Sequence, residues 1–314
     1  MDAGRVCYSP RVKSVRVRVP ATSANLGPGF DALGLALALH NEVILQLATS
    51  VIVEIEGEGA DRLDRGAANV VVRGSRAVYE RVGRPFTGLK ASCVNRIPVG
   101  RGLGSSAAAW LAGIVGANAL LGEPLDRHAL LDLAATQEGH PDNVAAALLG
   151  GLTVACWSDG SVVAVSLPVP SEISWVVLIP EVEGSTADAR AVLPARVPRA
   201  DAVFNVQRLG LFLGGLQVQR SDLLAVAMDD RLHQPYRRRL FPWMDTVAAA
   251  ARAAGAMGCV LSGAGPSLLA AAPRSAQAVG QAMEQALARA GFRGVARVLD
   301  VDRIGTVWDV AQGS

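Results

Sequence analysis

The run Ile97-Pro98-Val99-Gly100-Arg101-Gly102-Leu103-Gly104-Ser105-Ser106-Ala107-Ala108-Ala109 decides how the rest of this chain is read. Its three glycines lie within five residues, which frees the backbone and lets it approach a ligand closely. Ser105 and Ser106 then stand at the head of an alanine-rich run. Serine is a good N-cap and alanine the best helix former, so the loop is expected to feed a helix N-terminus. The first N–H groups of that helix lack intrahelical partners and carry partial positive charge, which makes a phosphate site. The alternative is a glycine-rich turn before a buried helix. A Walker loop would add a lysine, yet the chain has only Lys13 and Lys90. Gly100, Gly102 and Gly104 space as G-x-G-x-G, not as a dinucleotide fingerprint. Any phosphate here must therefore rest on amide N–H groups, serine hydroxyls and a metal ion.

Composition narrows the classes. The 314 residues suffice for two domains sharing one cleft, and 51% are hydrophobic, enough for a sizeable core. A net charge of +2 argues against a nucleic-acid binder. With so few lysines, Schiff-base chemistry is disfavoured. Cys7, Cys93, Cys156 and Cys259 are scattered, without a C-x-x-C pair, and the four histidines have no zinc-ligand spacing. Free thiols in a reducing cytoplasm are expected. Ser105 to Gly122 is uncharged and long, but Gly113, Gly116, Asn118 and its alanines make it a buried helix rather than a membrane span. The opening Met-Asp-Ala-Gly-Arg-Val-Cys has no apolar segment, so no signal peptide is expected.

Along the chain, Val15, Val17 and Val19 alternate with Arg16 and Arg18, a half-buried strand that Pro20 is expected to end. Ala21 to Gly34 is rich in Gly, Pro, Asn and Ser around Asp31 and reads as a substrate loop, with Asn25 and Asp31 as turn or cap residues the plainer alternative. Strands are expected at 42–47, 51–55 and 89–94, and helices at 69–82 and 126–137. Gly139 and Pro141 stop the latter, gathering Glu138, His140, Asp142 and Asn143 in a tight turn. Glu138 suits a magnesium ion, which takes few protein ligands beside phosphate and water; capping or a solvated charge is the commoner role. Strands at 152–156 and 162–167 precede Pro168 and Pro170, where a domain boundary is expected: 1–168 and 169–314. Then come a strand at 175–179, Ser185 to Arg190 as helix cap or ligand segment, and a helical region at 201–228. The arginine-rich stretch 229–242 either holds a carboxylate or is an exposed basic turn. A helix at 243–254, strands at 259–262, 268–272 and 295–301, and a helix at 276–290 complete the pattern. Ser262-Gly263-Ala264-Gly265-Pro266-Ser267 is a second glycine loop between strands.

Three of these segments together resemble the signature motifs of the GHMP kinases: Pro20 to Asp31, Ile97 to Ala108 and Ser262 to Ser267. The first, with Glu138-Gly-His-Pro-Asp-Asn-Val144, is most similar to the homoserine-phosphorylating branch. The resemblance runs in order from about residue 15 to 300. It implies an α+β two-domain fold: an N-terminal ATP-binding α/β domain with a left-handed βαβ crossover, and a C-terminal ferredoxin-like domain. It implies ATP and Mg2+ in a cytoplasmic enzyme that acts on L-homoserine, with no nucleic acid or membrane partner and a homodimer as the plausible assembly. By the same resemblance, Pro98, Val99, Gly100, Arg101, Gly102, Leu103, Gly104, Ser105 and Ser106 wrap the ATP phosphates, with Asn69 near the nucleotide. Ser106 and Glu138 hold magnesium. Asn25, Asp31, Asn143, Thr186, Arg190 and Arg237 hold homoserine, and the loop with Ser262 and Gly263 closes over it. Asn143 occupies the place where some relatives carry an aspartate, so no dedicated general base is expected; Asp31 as base is the rival. A kinase for another small alcohol and a non-catalytic protein on this fold are the competing functions.

Overall fold

The computed structural model of this protein describes residues 12–273 and 276–312. Cys7 and the opening segment lie outside the described residues. The first part of the chain supplies strands β1 (Val12–Asn25), β2 (Gly29–Leu47), β3 (Val51–Gly57), β4 (Leu89–Asn95), β5 (Leu152–Ser158) and β6 (Ser161–Leu167). Helix α1 (Val70–Arg81) joins β3 to β4, which are parallel neighbours, so the expected βαβ unit lies here. Helices α2 (Ser105–Leu120), α3 (Arg127–Glu138) and α4 (Asp142–Leu149) lie between β4 and β5.

Val15, Val17 and Val19 of β1 are buried and Arg16 and Arg18 exposed, as alternation requires. Pro20 does not end the strand. The ladder to β2 shifts register between Pro20 and Ala21, and such a bulge tolerates a residue without an N–H. β1 therefore runs on to Asn25, and the segment expected to be a loop is the tip of a long hairpin. Asn25, Leu26 and Asp31 turn the chain there with φ of 70°, 49° and 54°. The sheet β2 builds is wide because it pairs with β1 along its length, with β4 near its end and with β5 near its start.

α2 is the central helix. It carries no charge, and nearly all of it is buried. Its N-cap is Gly104, in the left-handed region, rather than a serine; Ser105 and Ser106 are its first two residues. Asp126 caps α3 by accepting from the Ala129 N–H at 2.8 Å, and Gly139 ends it. The turn after Gly139 passes at once into α4, a short buried helix that the sequence pattern does not announce.

The second part starts with β7 (Ile173–Pro180). Helices α5 (Thr186–Ala191), α6 (Arg199–Gln217), α7 (Leu224–Ala227) and α8 (Gln234–Arg237) follow, then α9 (Met244–Ala253), β8 (Gly258–Leu261), β9 (Leu268–Pro273), α10 (Gln277–Arg289) and β10 (Gly294–Leu299). The four strands form an antiparallel sheet ordered β10-β7-β9-β8. With α9 and α10 as connections this is the βαββαβ arrangement of ferredoxin-like folds. Val176 and Leu178 of β7 face the cluster built by α9 and α10, while Trp175 and Val177 face the main core, so both sides of this sheet are covered.

Strand β11 (Val307–Gln312) then returns to the first sheet and pairs with β1, giving the order β11-β1-β2-β4-β3. No helix among the described residues is long and apolar enough to cross a membrane.

Candidate active site

A cleft of about 400 Å3 opens between the two parts. The glycine loop, Asn25, Asp31, Asn69, Glu138, Asn143, Thr186, Arg190, Arg237 and Gly263 all line it. Of the candidate residues only Ser262 does not; it lies fully buried behind the loop.

The glycine loop is held by its carbonyls. Gly100 O accepts from the Gly184 N–H at 2.8 Å, Arg101 O from Ser267 N–H at 3.3 Å and Leu103 O from Thr22 N–H at 3.1 Å. Ser262 Oγ lies 2.7 Å from Gly102 O and 2.8 Å from Ser23 Oγ. One hydroxyl proton suffices if it donates to the carbonyl and accepts from Ser23. Four successive carbonyls thus point into protein. The N–H groups from Gly102 to Ser106 donate to no acceptor among the described residues. A row of free donors at the N-terminus of α2 is what an anion needs. Arg101 does not join them: its Nη2 donates to Glu181 O at 2.7 Å, and Glu183 pairs with both Arg101 and Arg62.

At the end of this row Ser106 Oγ donates to Glu138 Oε2 at 2.7 Å. Burial pushes the Glu138 carboxyl upward, and the Asp142 charge adds to this, against the Ser106 hydrogen bond and the His140 charge. His140 Nδ1 lies 2.6 Å from Asp142 Oδ1. Burial pulls the His140 imidazole down, but its bond to Asp142 and the charges of Asp142 and Glu138 outweigh this and raise it. Asp142 also accepts from the Asn143 N–H at 2.7 Å. Asn143 Oδ1 accepts from Thr22 Oγ1 at 2.7 Å, which leaves its NH2 without a hydrogen bond among the described residues, and Asn143 lines the cleft.

The opposite wall is cationic. Arg190 grips Asp31 with two hydrogen bonds, Nη1 to Oδ2 at 3.0 Å and Nη2 to Oδ1 at 2.7 Å. That bond holds the Arg190 guanidinium above its ordinary value. Arg237 is almost fully buried and makes no ion pair among the described residues. Burial, then the nearby Arg190, lower it to about 10, so it stays charged at neutral pH. The Phe30 ring lies 5.7 Å from the Arg190 guanidinium and 5.4 Å from that of Arg237. Asn25 ties the hairpin to the second glycine loop, donating to Gly263 O at 2.9 Å and accepting from the Asp31 N–H at 3.0 Å.

Asn69 lines the cleft, but its hydrogen bonds are local. It caps α1 through Val71 N–H and donates to Asp64 O. Beside it Ile55, Leu63, Val70 and Cys93 make the apolar end of the cleft. Burial raises the Cys93 thiol to about 11, so it is inert. Sequence reading misses Asp142 and Phe30 as site residues. Both lie inside the signature motifs, but the burial of Asp142 and the placement of Phe30 under two arginines emerge only in the fold.

Known proteins match along this framework. Residues 69–151 match the GHMP kinases N terminal domain, and residues 212–289 the GHMP kinases C terminal. A homoserine kinase of Moorella thermoacetica is 48% identical over 277 residues, covering 88% of this chain and 94% of the relative. The chain belongs to the homoserine kinase family. A homoserine kinase of Persephonella marina is 44% identical over 96% of this chain and 100% of its own length. The crystal structure of homoserine kinase from Cytophaga hutchinsonii superposes with a TM-score of 0.85 at 34% identity, covering 95% of this chain and 98% of that one. The expected α+β GHMP kinase fold is therefore borne out, and as a GHMP kinase the chain is an ATP-dependent enzyme.

Proposed function

We propose that this homoserine kinase relative transfers the γ-phosphoryl group of ATP to the side-chain hydroxyl of L-homoserine, giving O-phospho-L-homoserine for threonine biosynthesis. One observation carries the reading: a row of free amide donors and an acid–arginine wall face each other across a single cleft. The triphosphate rests on the N–H groups from Gly102 to Ser106, with the rest of the loop from Pro98 wrapping it and the base towards Asn69 and the apolar end.

Ser106 and Glu138 suit Mg2+. They are two oxygen donors in contact, and both line the cleft beside the amide row where a phosphate would lie. Bound there with phosphate and water, the ion would neutralise charge on the transferring group. The substrate is a zwitterion, and the Asp31–Arg190 pair is its mirror. Inserting it exchanges one internal ion pair for two, ammonium on Asp31 and carboxylate on Arg190. Arg237 adds an unneutralised cation for the carboxylate, and Thr186 and Asn25 border the same space. Asn143 aims the hydroxyl through its NH2. It cannot take the proton, so no dedicated base acts and the proton leaves late, passing to an oxygen of the transferred phosphoryl group and then to water, as a loose phosphoryl-transfer transition state permits. The part before Pro168 supplies the amide row and Glu138 and, through Asn25, Asp31 and Asn143, one side of the substrate wall; the part after it completes that wall with Thr186, Arg190 and Arg237 and supplies the closing loop of Ser262 and Gly263. The family resemblance supports a cytoplasmic homodimer.

A coupled ADP-release assay with L-homoserine, mevalonate and shikimate tests this. Homoserine should give the highest kcat/KM; turnover that favours either other alcohol would refute the assignment.

A further inference from the structure

Behind the cationic wall lies a buried cluster that the roles above leave unused. The Asp230 carboxylate is fully buried and accepts four hydrogen bonds: from the N–H groups of Leu232 (2.8 Å), His233 (3.1 Å) and Gln234 (2.7 Å), and from Asn205 Nδ2 (2.8 Å). It fixes the turn from which His233 projects. His233 is 0% exposed and stacks on Phe30 with ring centroids 5.3 Å apart.

The two nitrogens of that ring meet partners of opposite chemistry. Gly27 O, which can only accept, lies 2.9 Å from Nε2. Arg237 Nη1, which can only donate, lies 3.2 Å from Nδ1. Nε2 must therefore carry the proton and Nδ1 must be bare. A second proton would set an N–H against the guanidinium. Asp230 Oδ2, 3.4 Å from Nε2, favours that second proton, as does the more distant Asp31. Burial and the Arg237 charge oppose it, and the net direction is downward from the ordinary imidazole value.

Arg237 has five N–H donors. Nε donates to Ala189 O at 3.1 Å, and Nη1 to Gly263 O at 3.0 Å and to His233. Three fixed acceptors thus set the plane of the guanidinium and leave its Nη2 edge for a ligand. Two of the three are backbone carbonyls, and His233 is the one side-chain acceptor. We propose that His233 is a positioning residue: as the neutral Nε2–H tautomer it holds Arg237 at the angle that grips the substrate carboxylate. Through Gly27 the same ring locks that grip to the hairpin carrying Asp31. The inference rests on the reading of the cleft as a homoserine site.

The test separates the two ring nitrogens. In His233→Asn the amide oxygen can take the place of Nδ1 as acceptor. In His233→Gln the amide NH2 can take the place of Nε2 towards Gly27, and the acceptor for Arg237 is lost. The readout is the kcat/KM ratio between L-homoserine and 3-aminopropan-1-ol, which is homoserine without its carboxylate. His233→Gln should lower that ratio by about tenfold or more, the worth of one charge-assisted hydrogen bond. His233→Asn should restore much of it. A general packing lesion would depress both substrates together and leave the ratio alone. An unchanged ratio in His233→Gln, or a greater loss in His233→Asn than in His233→Gln, overturns the proposal. Nitrogen-15 NMR of the wild-type histidines decides the matter if His233→Gln does not fold. A neutral Nε2–H ring whose Nδ1 resonance moves on adding homoserine supports the proposal; an imidazolium or an Nδ1–H ring refutes it. Wild-type enzyme that ignores homoserine would instead overturn the functional reading, with the tautomer still decided by NMR.

Discussion

Replacing Gly102 by alanine puts the amide row itself to the test. Gly102 has φ +72°, where an L side chain costs about 1–2 kcal/mol. A Cβ there would collide with the Ser262 carbonyl and come within 2.9 Å of the Gly265 N and O atoms. These are backbone atoms and cannot rotate away, so the loop must move. Moving it also strains the Ser262–Gly102 hydrogen bond, worth about 1 kcal/mol. The smaller set of unfolded conformations open to alanine returns up to about 1 kcal/mol. Gly122 is the control. Its φ is +82°, but a Cβ there meets nothing within 4 Å. Both variants should melt a few degrees below wild type, Gly102→Ala further. Only Gly102→Ala should lose activity, by about a hundredfold in kcat, the cost of misplacing reacting groups by about 1 Å. The coupled ADP-release assay with saturating homoserine measures this, with thermal melting alongside. Gly102→Ala with the kinetics of Gly122→Ala would show that the loop does not place the phosphates.

Asp31→Asn breaks the grip on Arg190 and should raise the homoserine KM more than it lowers kcat; a collapse of kcat at unchanged KM would make Asp31 the proton acceptor instead. Glu138→Gln keeps the hydrogen bond from Ser106 but loses the charge, so adding millimolar Mg2+ to protein already saturated with a nucleotide analogue should raise the Tm of wild type further and not that of the variant; equal further shifts would remove Glu138 from the metal site. Outside the cleft lining, burial pushes the Asp302 carboxyl up, but the His40 ring at 2.6 Å and the N–H groups of Gly305 and Ile304 outweigh it and hold it low. Its stabilisation is complete above the ordinary carboxylate pKa of about 4 and is lost as pH falls through the lowered value. Asp302→Asn should therefore melt below wild type at pH 6, with the gap closing under pH 4; a gap constant with pH would refute this.

What can be read from residues alone follows locality. Val15 to Val19 alternates, the apolar spacing places helices from about 69 and 126, and Gly139 stops a helix, because each signal sits within one turn or strand. Pro20 misleads because a bulge depends on the partner strand, which a single segment does not show. α4 is hidden by its shortness and by Pro141, which reads as a breaker but stands as its N-cap. β11 is six residues long and gains its place only from β1. In the site, the glycine loop is legible as an anion cradle, yet the reason its amides are free is a set of long-range bonds to its carbonyls. Asp31 and Arg190 are separately legible, 159 positions apart; that they hold each other is not. His233 is one more polar residue in a basic stretch until Gly27 and Arg237 give its two nitrogens opposite roles.

The late return of β11 has a practical cost for anyone who would cut or splice this chain. Val307–Gln312 covers the flank of β1, so a fragment stopped at residue 168 would present Ser14 to Arg18 as a bare edge, open to pairing with a neighbouring molecule. Chimeras that trade the substrate half between relatives would carry off the nucleotide half's sealing strand as well. A working exchange must take residues 307–312 from the same parent as residues 12–25, treating the two distant stretches as one inherited unit.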